Sequence, residues 1–460
     1  MRWGIVFGST ELSFVRLYWD LRPLDLFSIL QERFEYSYLL ESAEGPDGLA
    51  DYSFVGFEPK AVVRVKNGIA EIIYHDKHIS GPSEDPLQLL PSLVGRVAES
   101  RFRFIGGAVG YISYDSVRYW EKLPKLAVDD LHFPDLEMAI YDDGFIFDHK
   151  TGDLIYYHSG ESKLRDVELA VREGYSLEAL GCSEPKSNLK KEEFEEIVSR
   201  SKEYIVSGDV FQVVLSRRYD LHFDGSLIPF YRKLRQLNPS PYMYFLKMGK
   251  RQIVGASPEM LVRVDGLSVE TYPIAGTRPR VKEDPSRDEA LELELINDPK
   301  ERAEHIMLVD LARNDLGRVS EFGTVRVIEL MKVYKYSHVQ HMVSRVAGSI
   351  KRDCNCYDAL KAVFPAGTVS GAPKVRAMEI IEELEPVRRG PYAGAVGYFS
   401  KNGNADFAIA IRTLFAQGDR AYVQVGAGVV ADSVPEMEWF ETEQKALAVL
   451  RALEMSSRGG

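Results

Sequence analysis

Two pairs of glutamates have the spacing of a metal site. Glu301 and Glu304 lie three residues apart in a predicted helix, and Glu438 and Glu441 lie three residues apart in another. This spacing places both carboxylates of a pair on one helix face. Each pair could belong to a solvated surface, but both have apolar neighbours in the sequence. Carboxylates in apolar surroundings need a cation, and ligands that are all oxygen suit Mg²⁺.

A glutamine and three small-residue turns could complete a binding pocket. Gln212 interrupts the apolar segment 210–215, so it is either a structural cross-link or part of a pocket wall. The segment 271–278 leaves a strand through a glycine turn, and its N–H groups, hydroxyl and guanidinium together suit an anion. An ordinary loop is the other interpretation of that segment. Segments 364–374 and 425–428 are similar turns, and the first leads into a helix whose N-terminus can hold a carboxylate.

The elements that must position these residues are hairpins mixed with helices. Hairpins are predicted about Asn67-Gly68, Asp143-Gly144 and Asp265-Gly266, because strand patterns flank each turn dipeptide. This mixture predicts an α+β fold with largely antiparallel sheets. The chain has 460 residues, more than one ordinary core holds, so we expect two domains joined near 182–188. Helices are predicted after Asn188 and over 285–296, 299–313, 373–385 and 435–453, and strands over 392–399, 406–415 and 421–430.

Composition limits the classes of function. The formal net charge of −12 argues against nucleic acid as the main partner. No apolar run approaches the ~18–20 residues that cross a bilayer, and the N-terminus lacks a signal-peptide pattern. We therefore expect a soluble, cytoplasmic protein with no membrane partner. The cysteines, Cys182, Cys354 and Cys356, are spaced for neither zinc nor a disulfide framework. No phosphate-binding loop, nucleophile elbow or zinc-protease motif occurs.

Taken in order, the motifs of the C-terminal half resemble those of the chorismate-utilising enzymes, most closely the anthranilate synthases. They cover nearly all of residues 190–450. The resemblance implies a two-domain, antiparallel-sheet sandwich of that family's type, with a strand-rich domain over 1–180 and a chorismate-binding catalytic domain over 188–455. The matching segments are 257–259, 273–278, 301–315, 338–341, 367–374, 408–413 and 426–441.

The same resemblance implies roles for individual residues. Mg²⁺ would be held by Glu304 and Glu441, with Glu301 and Glu438 as their partners, close enough to bind the metal or its waters. Glu259 matches the general acid of the family, and His341 matches its catalytic histidine. The positions that would bind substrate are Gly276, Thr277, Thr368, Tyr392, Arg412, Gly426, Ala427 and Gly428.

Two positions indicate which reaction of the family applies. Relatives that add water to chorismate carry a lysine base where this chain has Gln212, and ammonia needs no such base. Many aminodeoxychorismate synthases carry lysine at the position of Ala275. Both residues favour amination ortho to the ring carboxylate, followed by loss of pyruvate. Aminodeoxychorismate synthase remains the main alternative. Isochorismate or salicylate synthesis is disfavoured by Gln212, and a tryptophan-binding regulatory protein with an inactive catalytic domain is disfavoured by the intact catalytic positions.

The resemblance also implies partners and regulation. Segments 39–42 and 238–243 resemble the tryptophan feedback site of anthranilate synthases, with Ser42, Pro241, Tyr242 and Met243 as binding residues. Asp51 departs from the arginine that is usual before the Tyr-Ser pair. The chain has no glutaminase motif, so ammonia would come from a separate glutamine amidotransferase subunit, component II. A heterodimer or heterotetramer is the expected assembly.

Overall fold

A computed structural model describes residues 11–42, 51–74, 77–97, 100–176, 178–336 and 339–457. Within these ranges no helix is both long enough and apolar enough to cross a bilayer. Proline occupies one of the first two positions in several helices, where its missing N–H costs no hydrogen bond. The helices are α1 (Pro23–Arg33), α2 (Leu90–Val94), α3 (Leu164–Glu173), α4 (Lys191–Val206), α5 (Ile228–Leu237), α6 (Pro285–Asn297), α7 (Pro299–Gly317), α8 (Cys356–Val363), α9 (Lys374–Leu384) and α10 (Pro435–Ser457).

Strands occur along the whole described chain. Those before residue 190 are β1 (Leu12–Leu17), β2 (Tyr36–Glu41), β3 (Tyr52–Phe57), β4 (Ala61–Lys66), β5 (Ile69–Tyr74), β6 (Lys77–Pro82), β7 (Gly107–Ile112), β8 (Leu136–Tyr141), β9 (Asp143–Asp148), β10 (Asp153–Ser159), β11 (Gly181–Cys182) and β12 (Lys186–Ser187). Those after it are β13 (Gln212–Asp224), β14 (Tyr242–Met248), β15 (Arg251–Ser257), β16 (Met260–Asp265), β17 (Ser268–Thr271), β18 (Ile274–Pro279), β19 (Arg326–Lys335), β20 (Val339–Ser349), β21 (Gly371–Ala372), β22 (Ala395–Ser400), β23 (Ala405–Ile409), β24 (Thr413–Gln417) and β25 (Arg420–Val429).

The strands form two large antiparallel sheets. Sheet I has 13 strands in the order β1-β10-β9-β3-β2-β14-β15-β24-β25-β13-β11, with β12 and β21 also paired to β13. Sheet II has 12 strands in the order β18-β20-β17-β16-β23-β22-β7-β8-β4-β5-β6, with β19 paired to β20. The predicted α+β class with antiparallel sheets is confirmed. Each sheet contains strands from both sides of the predicted boundary at 180–188, so the two segments of the chain share both sheets.

The largest apolar cluster joins the two sheets. It includes Tyr244 and Ile253 from sheet I together with Val109 and Ile140 from sheet II. A buried carboxylate, Glu137 on β8, also bridges the sheets. It accepts hydrogen bonds of 2.6 and 2.8 Å from Arg251 on β15 and one of 2.9 Å from Arg64 on β4. Because every charge there is paired, this bridge can fix the relative position of the sheets.

Two of the three predicted hairpins are confirmed and one is wrong. The turns at Asn67-Gly68 and Asp265-Gly266 join β4 to β5 and β16 to β17 in register. His75, at the end of the first predicted hairpin, lies outside the described residues. At Asp143-Gly144 the flanking strands belong to different sheets, since β8 pairs with β4 and β7 whereas β9 pairs with β3 and β10. The dipeptide therefore starts a strand of sheet I, and Asp143 accepts a hydrogen bond from Tyr156.

The predicted strand over 406–415 is two strands in different sheets. β23 ends at Ile409 in sheet II, and β24 begins at Thr413 in sheet I. Between them Arg412 has φ 51°, a left-handed conformation that is uncommon for a residue with a side chain. The break places Arg412 where the chain passes from one sheet to the other, which is also where the polar groups of the next section lie.

Candidate active site

Glu259 lies in the two-residue connection that carries the chain from β15 in sheet I to β16 in sheet II. Its backbone carbonyl accepts a 3.0 Å hydrogen bond from the Ile409 N–H, and only 6% of the residue is exposed. Burial raises the pKa of the Glu259 carboxyl to about 8, although the Thr368 hydroxyl opposes the rise. A carboxyl group with this pKa is protonated at neutral pH and can donate a proton.

A cleft of about 380 Å³ opens beside Glu259. Thr368 and Gly367 line it from the small-residue turn that precedes α9, and Leu308 and Leu311 line it from α7. This largely apolar wall keeps the dielectric low around the Glu259 carboxyl group and so favours its protonated form. The structure thus brings the predicted general acid and predicted substrate residue Thr368 to one cavity.

His341 lies on β20 directly opposite Thr277 on β18. Its Nδ1 is 3.2 Å from the Gly276 carbonyl oxygen and 3.0 Å from the Thr277 hydroxyl. A carbonyl oxygen can only accept a hydrogen bond, so Nδ1 carries the proton and Nε2 is left as an acceptor. Burial lowers the pKa of His341 to about 4, and the nearby Arg412 charge adds to the effect. The imidazole is therefore neutral at physiological pH.

A bulge in β18 shapes this corner of the site. The pairing with β20 shifts between Ala275, opposite Met342, and Thr277. Gly276 occupies the shift with φ 69°, and a Cβ there would lie 2.9 Å from the Glu301 Oε2. Glycine is therefore required both for the backbone conformation and for the approach of α7.

Arg278 does not contribute an anion site. Its guanidinium contacts Glu294 at 2.8 Å, Asp298 at 3.0 Å and Glu301 at 3.2 Å. These contacts direct it toward α6 and α7. The guanidinium that was predicted as part of an anion site in segment 271–278 is thus paired with protein carboxylates. Glu301, one of the predicted metal residues, is in turn paired with Arg278.

The other three predicted metal residues, Glu304 on α7 and Glu438 and Glu441 on α10, are close enough for their charges to act on one another. Burial raises the pKa of Glu304, and the charges of Glu301, Glu441 and Glu438 raise it further. Burial and the Glu441 charge also raise the pKa of Glu438. Like charges that perturb one another in this way favour the binding of a cation between them.

Two observations test whether these carboxylates suit a metal ion. The buried Glu438 Oε2 has no hydrogen-bond partner among the described residues. Among the residues that the structure describes, the ion-pair partner of Glu304 is Lys300 at 3.9 Å, whereas Glu441 pairs with Lys445 at 2.7 Å. No three acidic or histidine side chains of the described ranges are yet close enough for a complete ligand set. An orphaned carboxylate oxygen beside mutually repelling glutamates fits a hard divalent cation such as Mg²⁺.

Arg412 presents a guanidinium without a carboxylate partner in the described part of the chain. Its Nη1 donates a 3.2 Å hydrogen bond to the Asn238 Oδ1, and its backbone carbonyl accepts one from Ala256. Burial lowers the pKa of Arg412, and the neighbouring Glu259 opposes this. A desolvated guanidinium of this kind suits a carboxylate ligand, because it can donate two parallel hydrogen bonds.

The prediction of a turn over 425–428 is wrong, because these residues are part of strand β25 and pair in register with β13. The predicted substrate residues 426–428 therefore lie on a strand. A Cβ on Gly426 would lie 2.8 Å from the Tyr392 hydroxyl, and a Cβ on Gly428 would lie 2.7 Å from the Gln212 Nε2. The two glycines, on either side of Ala427, thus leave room for both polar groups. The Gln212 Oε1 is buried and has no partner among the described residues, which favours a pocket wall over a cross-link.

Lys445 is a residue of this site that the sequence interpretation missed. From α10 its ammonium contacts the Glu441 carboxylate and donates a 3.0 Å hydrogen bond to the Gly426 carbonyl. Its charge also acts on Glu259. The signal was available, because residue 445 follows Glu441 by four positions and so shares its helix face. His338, within a matching segment, lies outside the described residues.

A second pocket, of about 500 Å³, lies between the two sheets. Ser42 on one wall donates a 2.5 Å hydrogen bond to the Pro241 carbonyl, so the two predicted feedback segments meet. Tyr242 and Met243 line the same pocket. Asp51 lies near its rim and accepts a 2.8 Å hydrogen bond from Lys150.

Comparisons with known proteins identify the family to which this chain is similar. A model of the family described as chorismate binding enzyme matches residues 35–451. Anthranilate synthase component 1 of Methanothermobacter thermautotrophicus is 46% identical over 456 residues, which cover 99% of this chain and 97% of that protein. Aminodeoxychorismate synthase component 1 of Bacillus subtilis is 44% identical over 451 residues, which cover 94% and 95% respectively. The crystal structure of anthranilate synthase component I from Streptococcus pneumoniae has a TM-score of 0.77 and 38% identity, and covers 88% of this chain and 93% of that one.

Proposed function

This chain belongs to the chorismate binding enzyme family, and we propose that it is the large subunit of an anthranilate synthase, converting chorismate and ammonia into anthranilate and pyruvate. One observation carries the proposal. Glu259, whose pKa is raised to about 8, lies close enough to Arg412 for their charges to act on one another, and Arg412 has no carboxylate partner among the described residues. Chorismate offers a hydroxyl that must be protonated to leave and carboxylates that must be bound.

In the first step ammonia attacks the ring carbon ortho to the ring carboxylate. The ring double bonds shift and the C4–O bond breaks. Glu259 transfers its proton to the departing 4-hydroxyl, which leaves as water, since hydroxide is a poor leaving group. The apolar walls from Leu308 and Leu311 favour the protonated form of Glu259 that this step needs.

The charges of the site provide for the carboxylates of chorismate. Arg412 would hold the carboxylate of the enolpyruvyl side chain as a bidentate fork. Glu304 and Glu441 would hold Mg²⁺, with Glu438 close to the same position. Bound Mg²⁺ would supply the positive charge that lets the ring carboxylate enter, because two like charges ~4 Å apart repel by roughly 4 kcal/mol at an effective dielectric near 20.

In the second step the ring loses a proton and the enolpyruvyl group, which departs as pyruvate and leaves the aromatic product. His341 is neutral, and its Nε2 can accept a hydrogen bond or a proton. We assign it a positioning or proton-transfer role in this elimination.

Ammonia would reach this chain from a separate glutamine amidotransferase subunit, component II, in a heterodimeric or heterotetrameric assembly. The sequence argument for this partner is that no amidotransferase nucleophile motif occurs. The same argument predicts turnover with ammonium salts and none with glutamine alone. A cytoplasmic location also belongs to this proposal.

Product identification tests the reaction. The purified chain is incubated with chorismate, Mg²⁺ and an ammonium salt at about pH 8–9, where free ammonia is abundant. Equal amounts of anthranilate and pyruvate are expected. Aminodeoxychorismate synthesis is the second candidate, because the Bacillus subtilis enzyme of that name is 44% identical. An aminated product without pyruvate would favour that candidate, which Ala275 disfavours.

The second pocket supports feedback inhibition by tryptophan. Ser42 and Pro241 are already joined by a hydrogen bond, and Met243 offers an apolar contact. An inhibitor acts only by binding one state better, so bound chorismate must weaken tryptophan binding by the same factor that tryptophan weakens chorismate binding. A tryptophan titration of the wild type and of Met243→Ala checks this. Unchanged activity at millimolar tryptophan in the wild type would exclude a functional feedback site.

A further inference from the structure

Arg389 is a buried cation that the proposed reaction does not use. It lies just after α9, and only 1% of the residue is exposed. Its Nε and Nη2 donate hydrogen bonds of 2.9 and 2.6 Å to the two carboxylate oxygens of Glu385. The Ser216 N–H and hydroxyl donate two more, of 2.7 and 2.8 Å, to the Glu385 Oε1. Because both charges are joined by a bidentate contact and hydrogen-bonded further, this ion pair has a fixed geometry.

Two further hydrogen bonds of the guanidinium join separate parts of the backbone. Its Nη1 donates a 2.6 Å hydrogen bond to the Val369 carbonyl, and its Nη2 donates one of 2.7 Å to the Val214 carbonyl. Val214 lies on β13, and its own N–H donates a 2.9 Å hydrogen bond to the Ser370 carbonyl. Val369 directly follows Thr368, a predicted substrate residue. Arg389 therefore holds the turn that carries Thr368 against β13.

The end of the same turn is held by β21, which pairs with Val213 and Gln212 of β13. Gly371 on β21 has φ 139°, and a Cβ there would lie 2.2 Å from the Gln212 carbonyl oxygen. This end of the turn thus lies directly against β13, whereas Arg389 reaches its middle. Thr368 precedes the carbonyl that Arg389 binds, so the position of Thr368 depends on that contact.

The position of Thr368 matters because its hydroxyl acts on the proposed acid. Thr368 lines the cleft beside Glu259, and its hydroxyl lowers the pKa of the Glu259 carboxyl against the effect of burial. The Thr368 Oγ1 is buried, yet it has no hydrogen-bond partner among the described residues. The hydroxyl therefore lies near the carboxyl without a completed hydrogen bond, and a small shift of the turn decides how strongly the two groups interact.

We propose that Arg389, held by Glu385, is a positioning residue that fixes the Thr368 hydroxyl relative to the Glu259 carboxyl. Through the Val369 carbonyl, Arg389 acts on the proton donor without touching the reacting groups itself. This inference rests on the proposed reaction, in which Glu259 protonates the departing hydroxyl of chorismate.

Other charged groups act on Glu259 too. Lys445 from α10 and Arg412 from the connection between β23 and β24 both lower its pKa. Asp315 of α7 lines the same cleft. Among the described residues Arg389 forms no hydrogen bond or ion pair with any of these groups, and Arg389→Lys leaves every one of their charges unchanged.

The test compares Arg389→Lys and Thr368→Val with the wild type. Arg389→Lys keeps the charge opposite Glu385, but an ammonium lacks the planar fork that makes these four hydrogen bonds. The value of kcat/KM for chorismate is measured against pH at a fixed concentration of free ammonia, and its decline at high pH reports the ionisation of Glu259. Thr368→Val should move this decline up by about one pH unit, the effect of a hydrogen bond to a charged group.

Arg389→Lys should move the decline in the same direction by about half a pH unit or more, because the hydroxyl is no longer held in place. The double variant should show the shift of Thr368→Val alone, since the two changes remove the same interaction. Glu385→Gln weakens the anchor of Arg389 and should give a smaller shift of the same sign. This variant decides the question if Arg389→Lys does not fold.

Arg388→Lys is the matched control. It makes the same substitution one position away, at a residue whose ion pairs are with Asp115 and Asp129, both at 3.9 Å. This variant should keep the pH profile of the wild type. Circular dichroism confirms that each variant is folded.

A measurement without turnover reports the same pKa. Glu259 has a higher pKa in the folded state than in the unfolded state, so its contribution to stability is lost as the pH rises, and the loss levels off above the folded pKa. The free energy of unfolding of each protein is compared with that of its Glu259→Gln counterpart from about pH 5 to about pH 10. In Thr368→Val and in Arg389→Lys the loss should level off at a higher pH than in the wild type.

The outcomes separate this inference from the proposed function. A folded Arg389→Lys with the wild-type profile, beside a shifted Thr368→Val, would overturn the role of Arg389. An equal shift in Arg388→Lys would overturn it as well, and so would additive shifts in the double variant. An unshifted Thr368→Val would show that the hydroxyl does not act on Glu259 and would overturn the inference too. If the wild type consumes no chorismate, the proposed function fails, and the unfolding measurements still decide on Arg389.

Discussion

The cleft beside Glu259 lies between sheet II and α7, whereas the second pocket lies between the two sheets, and the two regions treat charge in opposite ways. At the cleft, Glu259 is buried with a raised pKa, and the neighbouring Arg412 has no carboxylate partner among the described residues. In the second pocket, the buried carboxylates Glu41 and Asp406 each have a cation and a tyrosine hydroxyl as partners.

The unpaired groups at the cleft should lower the folding stability of the protein. An unpaired ionisable group inside a protein is destabilising, because it has left water without gaining a compensating partner. In the proposed reaction, the proton donor and the carboxylate receptor are useful only while uncommitted, which accounts for such groups at the cleft. In the proposed feedback role, the second pocket needs only reversible recognition, and paired charges give it a defined shape.

The largest expected effect comes from replacing Glu259, the proposed proton donor. Glu259→Gln should lower the rate of chorismate consumption by about 10⁴-fold, the upper end of the range for a general acid. No aminated product should accumulate, since departure of the hydroxyl belongs to the first step. Tryptophan binding to the second pocket should persist. Substantial amination by this variant would contradict the assignment of the acid.

The same variant should also differ from the wild type in the pH dependence of its folding stability. The pKa of Glu259 is about 8 in the folded protein and near 4.5 as the ordinary value, so the folded state binds the proton more tightly. Wild-type stability should therefore fall as the pH rises through this window, by an amount on the order of a few kcal/mol. Glu259→Gln lacks that loss. Denaturant unfolding at pH 5 and pH 9 should show the variant gaining on the wild type at the higher pH.

The second effect concerns the acid cluster of α7 and α10. Glu304→Gln should lower kcat/KM by about 10³-fold, because charge stabilisation by a metal contributes several kcal/mol. Stability without metal should not fall, since the charges of Glu441 and Glu438 already disfavour ionised Glu304. Added Mg²⁺ should raise the melting temperature of the wild type but not of the variant.

Asp310→Asn is the control for this experiment, since Asp310 is an exposed residue of the same helix paired with Arg313. It should retain both activity and the response to Mg²⁺. Full activity of Glu304→Gln or of Glu441→Gln in excess chelator would remove the metal assignment.

The third effect separates the two chemical steps within the cleft. His341→Ala should slow anthranilate formation by about 10²-fold, a typical loss for a group that assists proton transfer. Some amination should continue, so an aminated intermediate should accumulate while pyruvate release slows by the same factor as anthranilate formation. Chromatography of quenched reactions distinguishes the species. If His341→Ala and Glu259→Gln lose chorismate consumption equally, the two residues do not have separate roles.

Sequence patterns predicted the regular elements of this molecule better than its connections. The helices α6, α7, α9 and α10 lie where the apolar periodicity placed them, to within four residues at each end. The hairpin predicted at Asp143-Gly144 is wrong because a turn dipeptide indicates only a local change of chain direction. It does not indicate which sheet contains the next strand. No local pattern encodes that choice, since it depends on contacts distant in the sequence.

Candidate site residues could be predicted where a sequence pattern marks them, but not where only the three-dimensional arrangement identifies them. The acid pairs and Gln212 were visible as polar residues in apolar surroundings. The interruption of the strand at Arg412 was not predicted. No sequence pattern indicates that an arginine adopts the left-handed conformation, and the two flanking strands have the pattern of one continuous strand. Lys445 was missed although its spacing from Glu441 indicated a shared helix face.

The smallest effect tests the connection between the two regions. Residues 238–243 join them, since Asn238 accepts a 3.2 Å hydrogen bond from Arg412 and Tyr242 and Met243 line the second pocket. Asn238→Ala leaves the guanidinium without this acceptor, so KM for chorismate should rise by about tenfold, as expected for a hydrogen bond to a charged group. Tryptophan should still bind this variant but inhibit it less, because movement of the segment no longer reaches Arg412.

Two further variants of the segment make this prediction specific. Asn238→Asp would place a carboxylate beside Arg412, where it competes with the carboxylate of chorismate, so KM should rise more than in Asn238→Ala. Ser240→Ala alters the same segment, but the Ser240 hydroxyl bonds only to Asn238 among the described residues and does not contact Arg412. It should change KM by about twofold or less, the scale of a substitution away from such features. If Asn238→Ala leaves both KM and tryptophan inhibition unchanged, the two pockets are coupled by some other part of the sheets.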